Sequence, residues 1–264
     1  MEKYWVVIRN TWNEMTTYRL SFVMWRIRVF LQLLTVYFIW ASVMPTDSTL
    51  FGYSRELMLT YVLGTQLINS IVFSSRTQEI AENINSGDLS IFLLKPLGYF
   101  KYWFARDLSD KTMNLAFSVV ELVIFFLILS PPLFVQTNMM LLSLFVFSIF
   151  LAVLLNFVIG CLMSMIGFWS SEVWAPRFVF YVIISFFTGG LFPLDILPKP
   201  LFNFLELLPF TYLQFFPLKV YLGQVGVADI FKGLTISGIW IGILYTGLYV
   251  VWNKGLTKFS AAGR

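Results

Sequence analysis

The sequence contains no histidine, and its single cysteine, Cys161, lies inside an apolar run. The missing histidines exclude histidine-based metal and catalytic sites, and one cysteine cannot form a disulfide within the chain. We expect Cys161 to pack rather than to react. The sequence also lacks a G-x-x-x-x-G-K-[ST] phosphate-binding loop and a G-x-S-x-G turn. These absences predict a chain with no catalytic residue, metal or bound cofactor of its own.

Charged residues are scarce as well. They make up 12% of the 264 residues, whereas hydrophobic residues make up 58% and the mean hydropathy is +0.79. Soluble domains are about 25% charged, so this composition predicts an integral membrane protein. The net charge of +4 does not indicate nucleic-acid binding, because the basic residues are spread over the loops between apolar runs.

Six apolar runs predict about six membrane-spanning helices in an all-α fold, within a single domain over residues 1–264. The runs cover residues 27–44, 57–75, 113–130, 139–168, 177–191 and 230–251. Residues 2–19 alternate apolar and polar side chains, which predicts an amphipathic helix in the membrane interface over the N-terminal region 1–26. A cytosolic extension of the first span is the alternative.

Polar residues within or beside these runs carry specific expectations. Gln66 and Asn69 are expected to face other helices, and Arg26 and Arg28 to extend toward the lipid headgroups. The glycines of the last run predict a face for close helix packing; they are Gly233, Gly238, Gly242 and Gly247.

The distribution of lysine and arginine predicts the orientation in the membrane. If the N-terminus is inside, all but four of the 18 basic residues lie on that side, the exceptions being Arg55, Lys199, Lys219 and Lys232. Basic residues concentrate in cytoplasmic loops. Both termini and residues 76–111, here called the polar segment, are therefore expected in the cytoplasm.

The polar segment contains the pattern of a short helix. Ser75 and Gln78 have the spacing of a capping box, and Gly87 stands where a helix of about three turns would end in a left-handed residue. Asp88 is expected to cap a second short helical segment, which Pro96 ends.

One face of this short helix is apolar and the rest is polar. Ile80, Ala81 and Ile84 share a face, while acidic and amide residues occupy the remainder. So short a helix is marginal in water and persists only when it docks on its own membrane helices or on another protein. The alternative is a solvated loop that joins two spans.

Residues 192–224, here called the proline segment, are apolar but interrupted. Pro193, Pro198, Pro200, Pro209 and Pro217 divide the segment into pieces too short to cross a bilayer. We expect two short helices that enter the outer leaflet and return, with a plain external loop as the alternative.

Glu121 is the one acid deep inside a predicted span. An unpaired carboxylate there costs several kcal/mol, so it needs a partner or a function. It either lines a central cavity, where it would favour cationic or hydrogen-bonding cargo, or forms a structural pair with Arg26, Arg28 or a polar group such as Asn156.

Three blocks of the sequence resemble, in order, the signatures of the bacterial ABC-2 permease subfamily with about six spans. They are INSGDLSIFLLKPL at 84–97, GFW at 167–169 and TGGLFPLDILPKPLFNFLELLPFTYLQFFPLKVYLGQ at 188–224. The subfamily pattern is I-x-x-G-x-L-x-x-x-L-x-[RK]-P, then F-P-L, P-F-x-x-x-x-x-x-P and a closing L-G. The match covers nearly the whole chain. Lys95 stands where arginine is common, which keeps the charge without the planar guanidinium.

The resemblance implies partners and sites. Residues 76–97 would hold the coupling helix, which rests in a groove of a separate ATPase; two ATPase subunits, binding MgATP, would sit beneath two permease chains paired as a homodimer or heterodimer. The candidate ATPase-contacting residues are Glu79, Ile80, Glu82, Ile84, Asn85, Gly87 and Asp88. The candidate outer gate comprises Phe192, Pro193, Leu194, Pro209, Phe210 and Pro217.

The expected function is that of the membrane subunit of an ABC exporter for hydrophobic or amphipathic compounds, in the bacterial cytoplasmic membrane. Two other functions stay open from the sequence. One is a non-transporting scaffold or immunity-type module, and the other is an ion-coupled carrier that works through Glu121.

Overall fold

The computed structural model describes residues 2–17, 19–46 and 48–259, which form eleven α-helices and no β-strand beyond one isolated bridge between Leu50 and Tyr53. In chain order these are α1 Glu2–Thr17, α2 Arg19–Val43, α3 Arg55–Ile68, α4 Gln78–Asn85, α5 Leu89–Leu93, α6 Tyr99–Leu129, α7 Met139–Ser164, α8 Trp174–Phe187, α9 Lys199–Glu206, α10 Phe215–Tyr221 and α11 Val227–Leu256. A π-helical turn, Asn69–Phe73, continues α3, and a 3₁₀ turn, Met165–Phe168, continues α7.

Five helical segments are long and apolar enough to cross a membrane. They are Phe22–Val43, Arg55–Asn85, Tyr99–Leu129, Met139–Phe168 and Val227–Leu256. The sixth predicted span corresponds to α8, whose 14 residues reach about 21 Å, less than the ~30 Å hydrocarbon core. The predicted all-α, multi-pass membrane protein is confirmed, with α8 as a shorter apolar helix.

The helix α6 begins well before the apolar run that predicted it. It is continuous from Tyr99 to Leu129, so the second half of the polar segment is helical and extends the third span. This N-terminal half of α6 packs against α1, where Ser109 Oγ donates to the carbonyl of Ile8 at 2.9 Å.

The helix α7 lies at the centre of the bundle. It packs against α11, α10, α4 and the π turn, and Cys161 on α7 is fully buried, as expected of a packing residue. One cluster of buried side chains joins α7 to α3 and the proline segment, and a second joins it to α4 and α11. The two ends of α7 thus support the two regions that the sequence singled out.

The glycines of α11 do not form a single packing face. A Cβ at Gly233 would overlap the ring of Phe216, so this position needs glycine. Gly238, Gly242 and Gly247 have open space where a Cβ would stand. The prediction that all four serve close packing is wrong within this chain, because α11 turns the last three away from its neighbours.

Candidate functional site

The short helix α4 is seated against the membrane helices of its own chain. Ile80, Ala81 and Ile84 are buried, and the two isoleucines pack in the cluster that contains Phe157 and Met165. Two glycines on the α7 side make the close approach possible, since a Cβ at Gly160 would overlap Thr77 Oγ1 and one at Gly167 would stand 3.1 Å from the Ala81 carbonyl oxygen. The apolar face of α4 therefore faces inward.

An arginine from α8 fixes the start of α4. Arg177 donates from Nη1 to Ser164 Oγ at 2.8 Å and from Nη2 to Thr77 Oγ1 at 2.8 Å. Ser164 Oγ in turn donates to the Thr77 carbonyl at 2.6 Å. All three side chains are buried, so α4, α7 and α8 meet at one hydrogen-bonded point.

A network of charges connects the outer flank of α4 to α1 and α6. Glu79 accepts from Arg76 at 2.7 Å and pairs with Arg106 at 2.9 Å. Arg106 also pairs with Glu14 of α1 at 2.8 Å, and Arg76 pairs with Asp110 at 3.3 Å. These side chains are partly buried, so their attraction is less screened than that of surface pairs. Together with the Arg177 contacts and the buried isoleucines, this network forms what we call the α4 seat.

The opposite face of α4 is exposed, and an apolar tip follows it. Gln78, Glu82 and Ser86 are solvent-exposed on α4. Ile91 and Leu94, from α5 and its C-terminal residue, have exposed fractions of 55% and 87%. Single exposed apolar residues are ordinary, but these two follow α4 closely in sequence, in the region where the sequence predicts a partner.

The capping pattern predicted for α4 and α5 is only partly right. Gly87 has φ +84°, which confirms the left-handed stop. The predicted capping box is wrong: Ser75 Oγ accepts from the Thr77 backbone N–H at 3.3 Å, and α4 starts at Gln78. Asp88 precedes α5 without capping it, because its carboxylate accepts from Ser86 Oγ at 2.7 Å. The helix α4 is also shorter than predicted, with eight residues.

The remaining predicted contact residues lie at the margins of the α4 seat. Asn85 is half-buried and donates from Nδ2 to the Ser171 carbonyl at 3.1 Å. Glu79 is half-buried within the charge network, and Gly87 is buried. Of the seven predicted residues, Glu82 and Asp88 are fully exposed.

Glu121 is paired with Arg26. The Arg26 guanidinium donates to both carboxylate oxygens, at 2.6 Å from Nε and 2.5 Å from Nη2, and also to Ser118 Oγ at 2.9 Å. Arg26 is 5% exposed, so its predicted extension toward the headgroups is wrong. The bidentate, charge-assisted contact holds the guanidinium inside the bundle. The structural pairing, one of the two alternatives for Glu121, is present.

Sequence reasoning missed a second buried charge pair. Lys111 and Asp107 are 3.1 Å apart on successive turns of α6 and almost fully buried. Lys111 Nζ also donates to the carbonyls of Val72 and Ser74, where α3 and its π turn end. Helix ends leave carbonyls without intrahelical donors, and Lys111 supplies one. The four-residue spacing of the pair was the available signal.

The proline segment is folded into the bundle as short helices. It contains α9, α10 and the 3₁₀ turns Leu194–Ile196 and Pro209–Leu213, which confirms short interrupted helices. Residues 211–220 are all buried. Of the predicted gate residues, Pro193, Leu194, Pro209 and Pro217 are buried, whereas Phe192 and Phe210 are half-buried.

Side chains donate to backbone carbonyls just before the proline segment and within it. Tyr61 hydroxyl donates to the Gly189 carbonyl at 2.6 Å, Trp40 Nε1 to Leu191 at 3.3 Å and Trp240 Nε1 to Leu207 at 3.0 Å. Irregular backbone at membrane depth is tolerated only where such partners exist. The donors come from α2, α3 and α11, so the segment is held by helices on several sides.

One charged cluster secures the same region. Lys219 Nζ donates to Asp195 at 2.7 Å and to the Tyr53 hydroxyl at 3.1 Å, and Lys219 is buried. Burial, with the Asp195 carboxylate beside it, raises the pKa of Tyr53 well above its ordinary value. The Tyr53 hydroxyl therefore stays protonated and donates to Asp195 at 3.0 Å.

The comparison with known protein families identifies the class of membrane protein to which the chain belongs. The family model for ABC-2 family transporter proteins matches residues 30–263, and the chain belongs to that family. It is thus an ABC-type permease component, and permeases of this family generally pair with ABC ATPases. A search of the curated proteins found no match.

Proposed function

We propose that the chain is the permease subunit of an ABC exporter for hydrophobic or amphipathic substrates. Two permease chains would form the path, and two separate ATPase subunits, binding MgATP, would drive transport. Both termini and the polar segment would lie in the cytoplasm, as the distribution of basic residues predicts, and the membrane would be the bacterial cytoplasmic membrane.

The observation that carries this proposal is the two-sided environment of α4. Its inner face is joined to α6, α7 and α8 through buried apolar and hydrogen-bonded contacts. Its outer face presents Gln78, Glu82 and Ser86, with Ile91 and Leu94 beside them. A helix held on one side and free on the other is suited to receive a partner and pass its movement to the spans.

The proposed ATPase contact therefore differs in detail from the one that the sequence implied. Glu82, Asp88, Ile91 and Leu94 would contact the ATPase directly. Ile80 and Ile84 are buried within the chain, so they would position α4 rather than touch the partner. Glu79, Asn85 and Gly87 would likewise support the contact from its edge.

The movement of the docked helix would reach the spans as a rigid-body shift. When the ATPases close on ATP, α4 would carry α7 and α8 with it, because Arg177 and Ser164 both bond Thr77. The proline segment, packed on the far end of α7, would respond as the outer gate. The gate residues would be Phe192, Pro193, Leu194, Pro209, Phe210 and Pro217.

The ion-coupled carrier is less well supported than it was from the sequence. A proton-carrying acid must be free to lose and gain its proton during transport, whereas Arg26 occupies both carboxylate oxygens of Glu121. The scaffold alternative predicts that a bound ATPase has no effect on transport.

A charge reversal on the outer face of α4 tests the proposal. The tagged chain is purified in mild detergent from its native host, and the Glu82→Lys variant is compared with Glu56→Lys. The control makes the same change at an exposed acid in the first turn of α3, on the opposite side of the predicted membrane. We expect wild type and Glu56→Lys to co-purify with an ATPase that hydrolyses MgATP, and Glu82→Lys to lose most of it. Equal recovery from both variants would contradict the proposed contact.

A further inference from the structure

A cavity between α2 and α3 contains polar groups that the fold itself does not use. Its volume is about 280 Å³, and its polar lining includes Arg28, Gln32, Gln66 and Asn69. Leu33, Val36 and Val62 are among its apolar lining residues. Arg28, Gln32 and Asn69 are exposed and Gln66 is buried; polar side chains within spanning helices often mark a site.

Gln66 is the clearest sign of an occupant. It is 7% exposed, and its Nε2 is buried and has no hydrogen-bond partner among the described residues. A buried amide donor without a partner destabilises the protein, because its lost contacts with water are not replaced. Gln66 lines the cavity, and because Nε2 itself is enclosed, the amide would rotate toward the cavity to meet a bound acceptor.

Arg28 gives the cavity its charge. Among the described residues it has no carboxylate within 4.0 Å, whereas Arg26, one helical half-turn away, is neutralised by Glu121. The described lining of the cavity contains no acidic side chain. A guanidinium only donates hydrogen bonds, and so does an amide nitrogen. The expected ligand group is therefore an anion that accepts several hydrogen bonds.

We propose that this cavity binds the anionic head group of an amphiphile, a carboxylate or a phosphate, with Arg28 as its counter-charge and Gln66 as a donor. The inference rests on the proposed function, because it names the class of cargo. The volume is slightly below the usual range for ligand pockets, about 300 to 1,000 Å³, so the cavity would hold the head group and the first part of the tail.

The expected cargo is anionic because Glu121 is paired with Arg26. An unpaired Glu121 would instead have suggested cationic cargo. An acid in a cavity would favour cations, but Glu121 bonds Arg26 on the α6 side of α2. The charge left for a ligand is that of Arg28. The structure therefore favours anionic over cationic amphiphiles.

The inference is tested by measuring how labelled amphiphiles bind to the full chain in the absence of an ATPase. Wild type and variants are placed in phosphatidylcholine nanodiscs and titrated with a dansyl-labelled undecanoate and with the matching dansyl-labelled alkylamine, and binding to empty nanodiscs is subtracted. We expect wild type to prefer the carboxylate. Arg28→Gln should weaken carboxylate binding about tenfold, whereas Arg9→Gln, the same change at an exposed position of α1, should not.

Gln66→Leu separates a binding role from a structural one. If the amide is kept for a ligand, the variant should bind the carboxylate probe several-fold more weakly while its melting temperature stays equal or rises. A fall in melting temperature with unchanged binding would mean that Gln66 is structural and would overturn its assignment. Equal carboxylate binding by Arg28→Gln and Arg9→Gln, or tighter binding of the alkylamine by wild type, would overturn the site.

Nanodiscs that also contain phosphatidylglycerol distinguish a membrane lipid from transported cargo as the natural ligand. If added phosphatidylglycerol displaces the carboxylate probe from wild type, the site takes a membrane lipid; if the probe and its dependence on Arg28 persist, the site takes cargo. Both results keep the anionic site. The assay contains no ATPase, so its failure would leave the proposed permease function standing, and loss of ATPase co-purification would leave the binding site standing.

Discussion

The α4 seat and the proline segment are both short, broken helices attached to α7, but they are held in different ways. Arg76 and Arg106 hold α4 through ion pairs that ionic strength can weaken, and Arg177 adds buried hydrogen bonds at Thr77. The proline segment relies mainly on buried side chains and on donors to its free carbonyls, with a single ion pair between Lys219 and Asp195. The contacts of α4 are therefore easier to weaken than those of the proline segment. This difference would suit the proposed roles of α4 as the receiver of the ATPase movement and of the proline segment as the outer gate.

Of the four changes predicted here, removing apolar volume from the proline segment should reduce the stability of the protein most. Leu213 is fully buried, and Leu213→Ala should cost about 3 kcal/mol through lost burial and a cavity. Thermal unfolding in detergent measures the loss. Leu207→Ala, at a site 67% exposed, serves as the control and should change little. Similar losses in both variants would mean that this segment is not the rigid part.

Weakening the Arg177 contact should have a smaller and more local effect. Arg177→Lys keeps the charge but cannot reach Thr77 and Ser164 together, which should cost about 1 to 2 kcal/mol. Hydrogen exchange by mass spectrometry should show faster exchange in α4 and unchanged exchange in α10. Arg55→Lys is the matched control. Faster exchange in α10 to the same extent would remove the distinction between the two regions.

The Arg106–Glu79 pair should contribute about 1 kcal/mol of coupling. A double-mutant cycle with Arg106→Gln and Glu79→Gln isolates that coupling energy. The measurement is the hydrogen-exchange protection of the α4 amides in each variant. The coupling should shrink as salt is added, because the side chains are 15% and 24% exposed. A coupling that salt leaves unchanged would contradict the adjustable character of the α4 seat.

Replacing Glu14 should have the smallest effect on the stability of α4. Its side chain is 45% exposed, and pairs this open contribute about 0 to 1 kcal/mol. Glu14→Gln should therefore change the exchange of α4 by less than the Arg106 variant does. A larger effect would mean that α1 is part of the device that holds α4, rather than a flanking helix.

Sequence reasoning predicted those features that composition and local geometry determine. The run 139–168 matches α7 and its 3₁₀ turn, because apolar length alone defines such a span. Gly87 adopts the left-handed conformation that its position required. The prolines divide residues 192–224 as expected, because proline cannot continue a helix interior.

The errors concern which neighbour a side chain meets. Periodicity showed that Ile80 and Ile84 share a face, but it could not show that α7 covers that face. Arg26 was expected to extend outward and was also one of several candidate partners for Glu121, 95 residues away, and local pattern could not decide between the two. Asn69 was expected to face another helix; it is exposed and lines the cavity between α2 and α3. Long-range pairing is not encoded in local pattern.

Maleimide labelling of single cysteines tests the central claim that α4 has one face fixed on the spans and one face turned to a cytoplasmic partner. The only native thiol, Cys161, is fully buried, so Glu82→Cys, Leu94→Cys and Ile80→Cys can be compared in inside-out vesicles before and after salt washing that strips peripheral proteins. We predict that Glu82→Cys and Leu94→Cys label rapidly only after washing, and that Ile80→Cys stays unlabelled throughout. Rapid labelling of Ile80→Cys, or labelling of Glu82→Cys from the outer side alone, would contradict the account.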